Sequence, residues 1–269
     1  MVRGGKVKNN PLGYVTTSMI QAYDCPRKYY YEYVEGWKPI RPSANLVFGS
    51  VFHESIAEEF LNGRTAKDAF LEKWEKVGEL VYSRSDTQES FRKIGLLLIE
   101  KVAKTEPYQR VVAVEKAYQA ELPDGTVFKG KVDIIYDDGQ GNVLLDWKTS
   151  GGSFLDSRPD LDDQLTAYSM LSGIPRVAYG VLLKKKEPEV NFFFAARNEE
   201  DYLDYQVKVM KTVADIEAGF FYRKPSLYCG FCNFCSLCRG QMEKAKEELR
   251  QLLVKDRYKE LNCEKVNLS

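Results

Sequence analysis

The sequence lacks any apolar run approaching the roughly 20 residues needed to span a bilayer, and its first residues, MVRGGKVKNNPLG, carry no apolar signal segment. A membrane or secreted protein is therefore not expected, and a soluble cytoplasmic chain (host cytoplasm for a viral one) is. There is one histidine and no excess charge of either sign, 39 Lys plus Arg balancing 39 Asp plus Glu. That balance removes the simplest argument for a polyanionic partner, although a sum says nothing about where charges lie. Internal repeats and low-complexity tracts are also missing, and with 44 % hydrophobic residues the composition rules out disorder and a collagen-like fibre. What is present is 269 residues, enough to bury about three quarters of the unfolded surface around one substantial core. The six cysteines, in a chain of intracellular character, point to a ligand set before a disulfide framework.

Residues 1–15 are polar and Gly-rich and are expected to form a loose arm. Apolar residues at helical spacing in SMIQAYDCPRKYYYEYV predict a short helix and then a second one with Pro26 in its first turn. LVFGSVFHESIAEEFLNG reads as a loop entering a helix that stops near Gly63, with His53 at the helix start. Two more helices are predicted over 65–78 and 87–104, the first with Phe70, Leu71 and Trp74 and the second with Leu97 and Leu98 on its apolar side. Beyond Pro107 the pattern turns to strands at 111–122, 127–136 and 142–149, joined by PDG and DDGQG turns that predict antiparallel neighbours. A linker over 150–160, a helix over 162–171, strands at 176–184 and 189–196 and a helix over 199–218 follow. A charged helix over 241–261 closes the chain. This order predicts an α/β fold with a central mixed sheet flanked by helices. Its segments are a helical region 1–106 contributing His53 and Cys25, a core 107–220, and a Cys-rich segment with the last helix, 221–269, all in one integrated domain.

The chemistry gathers at the strand ends. Asp146 and Lys148 are two apart on one predicted strand and share a face, and Asp133 can meet them from the neighbouring strand. Carboxylates crowded at a buried sheet end repel unless a cation neutralises them. Two carboxylates and a lysine suit Mg²⁺ or Mn²⁺ acting on a phosphodiester. On the triplet alone, a local Asp146–Lys148 ion pair with Asp133 as an ordinary surface residue is the plainer alternative. His53 can add an imidazole ligand and Glu115 a carboxylate from its own strand. Gln164 and Tyr168, four apart, share one face of the helix that follows.

Taken in order, CPRK (25–28), GSVFH (49–53), Glu115, GKVD (130–133), DWK (146–148) and QLTAY (164–168) resemble the RecB-like branch of the PD-(D/E)xK nucleases, which includes the Cas4 and AddB nuclease domains. The resemblance runs over about residues 16–240 and rests on the order of several short motifs; the Pro before the first Asp is absent. It implies a restriction-endonuclease-like core. His53, Asp133, Asp146 and the carbonyl of Trp147 look like metal ligands by this resemblance, Lys148 like the catalytic lysine, and Glu115 like an associated carboxylate. Gln164 and Tyr168 look like DNA-contacting or site-supporting residues.

YCGFCNFCSLCRG spaces Cys229, Cys232, Cys235 and Cys238 three apart, which alone fits a zinc site or a four-Cys iron–sulfur site. With Phe231, Phe234 and Leu237 between them, simple packing of some thiols is the alternative. By the same resemblance, Cys25, Cys229, Cys232 and Cys238 match the ligands of a [4Fe–4S] cluster, leaving Cys235 extra and zinc the lesser candidate. Cys263 falls in the predicted last helix without an evident partner.

The resemblance implies a metal-dependent DNA exonuclease in repair, recombination or replication-linked processing, taking single strands or accessible ends and working with helicase or recombination partners. A Cas4-like role in CRISPR spacer processing and a noncatalytic DNA-binding subunit are the alternatives. Residues 1–41 carry seven Lys plus Arg against three Asp plus Glu. With RKYYYEY, that stretch would supply a basic aromatic wall for phosphates and bases, or its tyrosines pack in a core.

Overall fold

The structure, a computed structural model, describes residues 9–83, 86–152, 154–155, 158–254 and 263–268. In chain order come α1 (Thr17–Ala22), α2 (Pro26–Tyr29) running into a π-turn (Tyr30–Val34), β1 (Trp37–Pro39), α3 (Ala44–Asn62), α4 (Ala66–Glu75), α5 (Gln88–Val102) and α6 (Glu106–Gln109). Next are β2 (Val111–Glu121), β3 (Val127–Asp137), β4 (Asn142–Ser150), α7 (Asp163–Ser172), β5 (Arg176–Leu183), β6 (Glu189–Ala196) and α8 (Glu199–Glu217). The chain ends with α9 (Cys235–Cys238), α10 (Met242–Glu248), β7 (Leu249–Gln251) and β8 (Glu264–Val266). Six strands form one mixed sheet in the order β6-β5-β4-β3-β2-β8. β4 and β5 are parallel, as are β2 and β8, while β3–β4 and β5–β6 are antiparallel. This is the expected α/β class with a central mixed sheet and helices on it, consistent with a restriction-endonuclease-like core.

The chain divides into two compact units. The first is made of residues 41–117 and 131–202. Its core follows from α3, where Ala44, Phe48, Phe52 and Ile56 recur every fourth residue and are all buried. Against them lie Phe70 and Trp74 of α4, Phe91 and Leu98 of α5, and Ile134, Leu145, Trp147, Ala178 and Leu182 of the sheet. Phe48 meets Phe91 edge-on with centroids 5.3 Å apart, and Trp74 stacks on Phe91 at 5.9 Å. α5 starts with a capping box between Thr87 and Ser90, and α3 ends at Gly63, whose φ of 69° is the left-handed conformation glycine tolerates.

The second unit consists of the described parts of residues 1–40, 118–130 and 203–269. Tyr205, Val209, Val213 and Ile216 form the buried stripe of α8. Val15 joins β3 as a bridge to Phe128, its N–H donating to Val127 O at 2.9 Å and its carbonyl accepting from Lys129 N at 2.9 Å. Tyr31, Phe234, Leu237, Ala245 and Leu249 form a smaller core, and β1 and β7 pair antiparallel beside it.

Several expectations are corrected. Part of the expected loose arm is built in, since Asn10 and Val15 are buried; residues 1–8 lie outside the described residues. Helix α3 begins at Ala44, so the stretch around Gly49 is helix and His53 sits mid-helix. Leu98 faces the core but Leu97 is exposed. Helix α10 ends at Glu248 because Leu249–Gln251 pair with β1, and Cys263 is not helical. The remainder of that predicted helix, 255–261, lies outside the described residues. Tyr29, Tyr31 and Tyr33 are buried, which favours packing over an aromatic wall.

Candidate active site

The register of β3 against β4, Ile134 opposite Leu145, brings Asp133 beside Asp146 where the ladder ends. Asp133 Oδ2 accepts the Trp147 N–H at 3.1 Å and lies 3.0 Å from His53 Nδ1. On β4, Lys148 Nζ lies 2.7 Å from Asp146 Oδ2 and donates to Gln164 Oε1 at 2.7 Å. The amide nitrogen of Gln164 donates in turn to Asp146 Oδ1 at 2.9 Å and to the Tyr168 hydroxyl at 2.8 Å. These residues are brought to one end of the sheet by α3, β3, β4 and α7. Helix α7 starts where Asp162 Oδ1 accepts the Gln164 N–H at 2.8 Å. Side chains of His53 and Lys148 stay 25 % and 27 % exposed, whereas that of Asp146 is 2 % exposed, so a substrate can reach the rim and not the floor.

The four charges bias one another. Burial, opposed by Lys148 and reinforced by Asp133, pushes the Asp146 carboxyl up to about 6. Burial would raise Asp133 too, but the charge and hydrogen bond of His53, with Lys148 and the Trp147 N–H, hold it below the usual carboxylate range. His53 is pushed down by burial and, more strongly in sum, up by Asp133 and Asp146, so it stands above the ordinary histidine range. Lys148 is disfavoured by burial, yet Asp146, Asp133 and Asp162 keep its ammonium above the ordinary lysine range. Its Nζ also lies 5.1 Å from the centroid of the Tyr179 ring.

In the second unit, Cys25, Cys229, Cys232, Cys235 and Cys238 line one cavity of about 260 Å³, together with Lys28, Arg223, Lys224 and Arg239. All are free thiols, and burial first, then the proximity of Cys25 and other thiols, raises Cys232 and Cys238. Among the described residues, no three His, Cys, Asp or Glu side chains are grouped to hold a single metal ion, and His53 and Asp133 are paired with each other.

The sequence profile of the PD-(D/E)XK nuclease superfamily matches residues 16–239. The chain belongs to the PD-(D/E)XK nuclease superfamily. Its described fold is also similar to a crystal structure from Eubacterium rectale described as "Putative exonuclease", with a TM-score of 0.57 and 15 % identity over 89 % of this chain and 93 % of that one. A crystal structure of SSO0001 aligns with a TM-score of 0.39 and 14 % identity over 82 % and 94 % of the two chains. No curated protein matches the chain. Among the described residues of this PD-(D/E)XK protein, no helix is long and apolar enough to cross a membrane.

Of the residues singled out in the sequence, His53, Asp133, Asp146, Lys148, Gln164 and Tyr168 are joined by the contacts above. Trp147 gives its N–H to Asp133 and buries its indole against Phe192, centroids 5.9 Å apart. Glu115 is ion-paired with Lys131 and has a φ of 52°, rare for a residue with a side chain. Cys235 joins the other four cysteines at the cavity. Arg197 escaped the sequence reading: buried, it donates to Thr166 Oγ1 at 2.7 Å and to the carbonyls of Pro159 and Asp162, fixing the approach to α7. Its only sequence signal was a lone arginine at the end of a predicted strand.

Proposed function

We propose that this PD-(D/E)XK protein is a divalent-metal-dependent deoxyribonuclease of the RecB-like branch that degrades DNA from its ends. The observation that carries this reading is the convergence of Asp133, Asp146, Lys148 and His53 at one sheet end, within the stretch that matches the family. The donor set suits a hard cation: Asp146 is buried, its Oδ2 lies 2.7 Å from the Lys148 ammonium without a hydrogen bond of good geometry, and Asp133 is a second carboxylate beside it. Asp133, Asp146 and the Trp147 carbonyl would hold Mg²⁺ or Mn²⁺, with His53 joining once it leaves Asp133. When bound, the ion lowers the pKa of water and neutralises phosphate charge.

The chain's own groups supply the rest. Lys148, kept charged by its carboxylate neighbours, offsets charge on the attacked phosphate and orients the water. Gln164 holds the Lys148 ammonium and the Asp146 carboxylate in one geometry, and Tyr168 fixes the Gln164 amide. Glu115, through its pair with Lys131, sets the strand beside Asp133.

The five-cysteine cavity supports a [4Fe–4S] cluster on Cys25, Cys229, Cys232 and Cys238, with Cys235 as a neighbouring thiol. Its volume far exceeds what one ion needs, and its basic rim suits an anionic thiolate cluster. A repair or recombination setting with a helicase partner and a Cas4-like setting in spacer processing share this chemistry; the genes beside this one separate them. The test of end-dependence compares linear and circular single-stranded DNA in Mg²⁺ or Mn²⁺. Loss of linear DNA with circles intact is expected, and equal attack on both contradicts it.

A further inference from the structure

The unit of residues 41–117 and 131–202 has a second recess, of about 590 Å³, beyond the end of β4. Asn45, Phe91, Ile94, Thr149, Ser150 and Lys184 line it, and none of them belongs to the set described above. Its volume falls in the range of roughly 300–1,000 Å³ usual for small-ligand sites. Its chemistry is divided. Lys184 contributes a cation, Thr149 and Ser150 contribute hydroxyls, and Ile94, with the small edge that core-packed Phe91 leaves open, makes the apolar part.

The cation is held in place. Lys184 Nζ donates to Asn45 Oδ1 and lies 5.0 Å and 5.3 Å from the ring centroids of Phe91 and Phe48. Its backbone N–H donates to Ser150 O at 2.8 Å, which ties the end of β5 to the end of β4. Burial holds this ammonium below the ordinary lysine range, and Asp86 on the rim opposes that only in part. A cation disfavoured by burial gains from an arriving anion.

Position narrows the choice of anion. Ser150 follows Lys148 by two residues, about 7 Å along a strand at ~3.3 Å per residue, a span of the order of one nucleotide. Thr149 and Lys148 point to opposite faces of β4, so a nucleic-acid strand crossing the sheet end meets the acidic site first and the recess next. A base enters such a recess only by leaving its stack and its partner, a step that costs least in a strand already single.

We propose that this recess takes the unpaired nucleotide next to the scissile phosphate of single-stranded DNA, with Lys184 on its phosphate, Ile94 against its base and sugar, and the Thr149 and Ser150 hydroxyls beside them. The proposal rests on the nuclease reading above. The test uses the full chain as wild type, Lys184→Gln and Lys184→Arg, each checked by thermal melting. Binding of a labelled single-stranded oligonucleotide is measured in EDTA over a salt series, and cleavage is measured in Mg²⁺ or Mn²⁺.

Lys184→Gln is expected to raise KM and the dissociation constant for single strands about 3- to 10-fold, with kcat changed less than about 2-fold, and to flatten the salt slope by about 0.7. Lys184→Arg is expected to restore most of the loss, and blunt duplex binding to change little. A wild type that cleaves while Lys184→Gln binds and cleaves equally well overturns the subsite alone. An equal loss on blunt duplex overturns the unpaired-nucleotide assignment. A wild type that neither binds nor cleaves DNA overturns the nuclease reading, and the subsite with it.

Discussion

Lys148 and Gln164 are locked together, the ammonium donating to the amide oxygen at 2.7 Å while the same amide's nitrogen donates to Asp146. One side chain on α7 thus orients both charged groups of the D-x-K strand. Replacing Gln164 with Leu removes a hydrogen bond from each charge. At roughly 1.5–3 kcal/mol for a hydrogen bond to a charged group, the melting temperature should fall, and kcat of the folded protein should fall about 10- to 100-fold as the pair loses its fixed geometry. A kcat within twofold of wild type would show that Gln164 does not position the pair.

The pH dependence follows from Asp146 and His53. The Asp146 carboxyl, raised to about 6 by burial, keeps its proton in the folded chain at a pH where the unfolded chain has lost it. Its stabilising contribution is therefore complete below about pH 4 and lost as pH climbs to about 6. Ligation needs the opposite state, a carboxylate and a neutral imidazole, and His53 is displaced upward as well. Thermal stabilisation by Mn²⁺ is expected to grow from pH 5 to pH 8. A stabilisation that is flat across that window, or largest at pH 5, contradicts the assignment of these ligands.

Gly180 on β5 lies under the Trp147 indole, and a methyl group there would overlap its six-membered ring. Gly180→Ala should cost about 1–3 kcal/mol by overpacking and should shift the neighbouring strand residues, Asp146 and Lys148. Denaturant unfolding and cleavage assays are expected to show both losses. An unchanged midpoint would mean that the indole repacks freely.

Cys25→Ser tests the cysteine cavity. The expected outcome is loss of iron and a lower melting temperature in anaerobically purified protein, since Cys25 and Cys229–Cys238 would tie together segments more than 200 residues apart in the chain. Unchanged iron content and melting temperature would remove the cluster.

Much of the fold was legible because its signals are local. Strand patterns with PDG and DDGQG turns located β2, β3 and β4, and a 2-residue period placed Asp146 and Lys148 on one face. The misread parts depend on distant partners. The stretch around Gly49 was expected to be loop ahead of a helix starting near His53, yet the helix runs through it because the Ala44, Phe48, Phe52 and Ile56 stripe is buried. Leu249–Gln251 left the predicted helix for β1, a pairing over 200 residues away. Glu115 was expected as a site carboxylate on a regular strand, but periodicity does not reveal a single left-handed residue within β2. Arg197 and Lys184 carry no local pattern, and only the tertiary structure gives them partners.

The proposed cleavage depends on Lys148. Wild type and Lys148→Ala should be compared on end-labelled single- and double-stranded DNA with Mg²⁺ or Mn²⁺, each protein first shown to melt cooperatively. Cleavage by the wild type and a loss of at least about 100-fold in the variant are expected; equal cleavage by the two proteins would show that Lys148 has no part in the reaction.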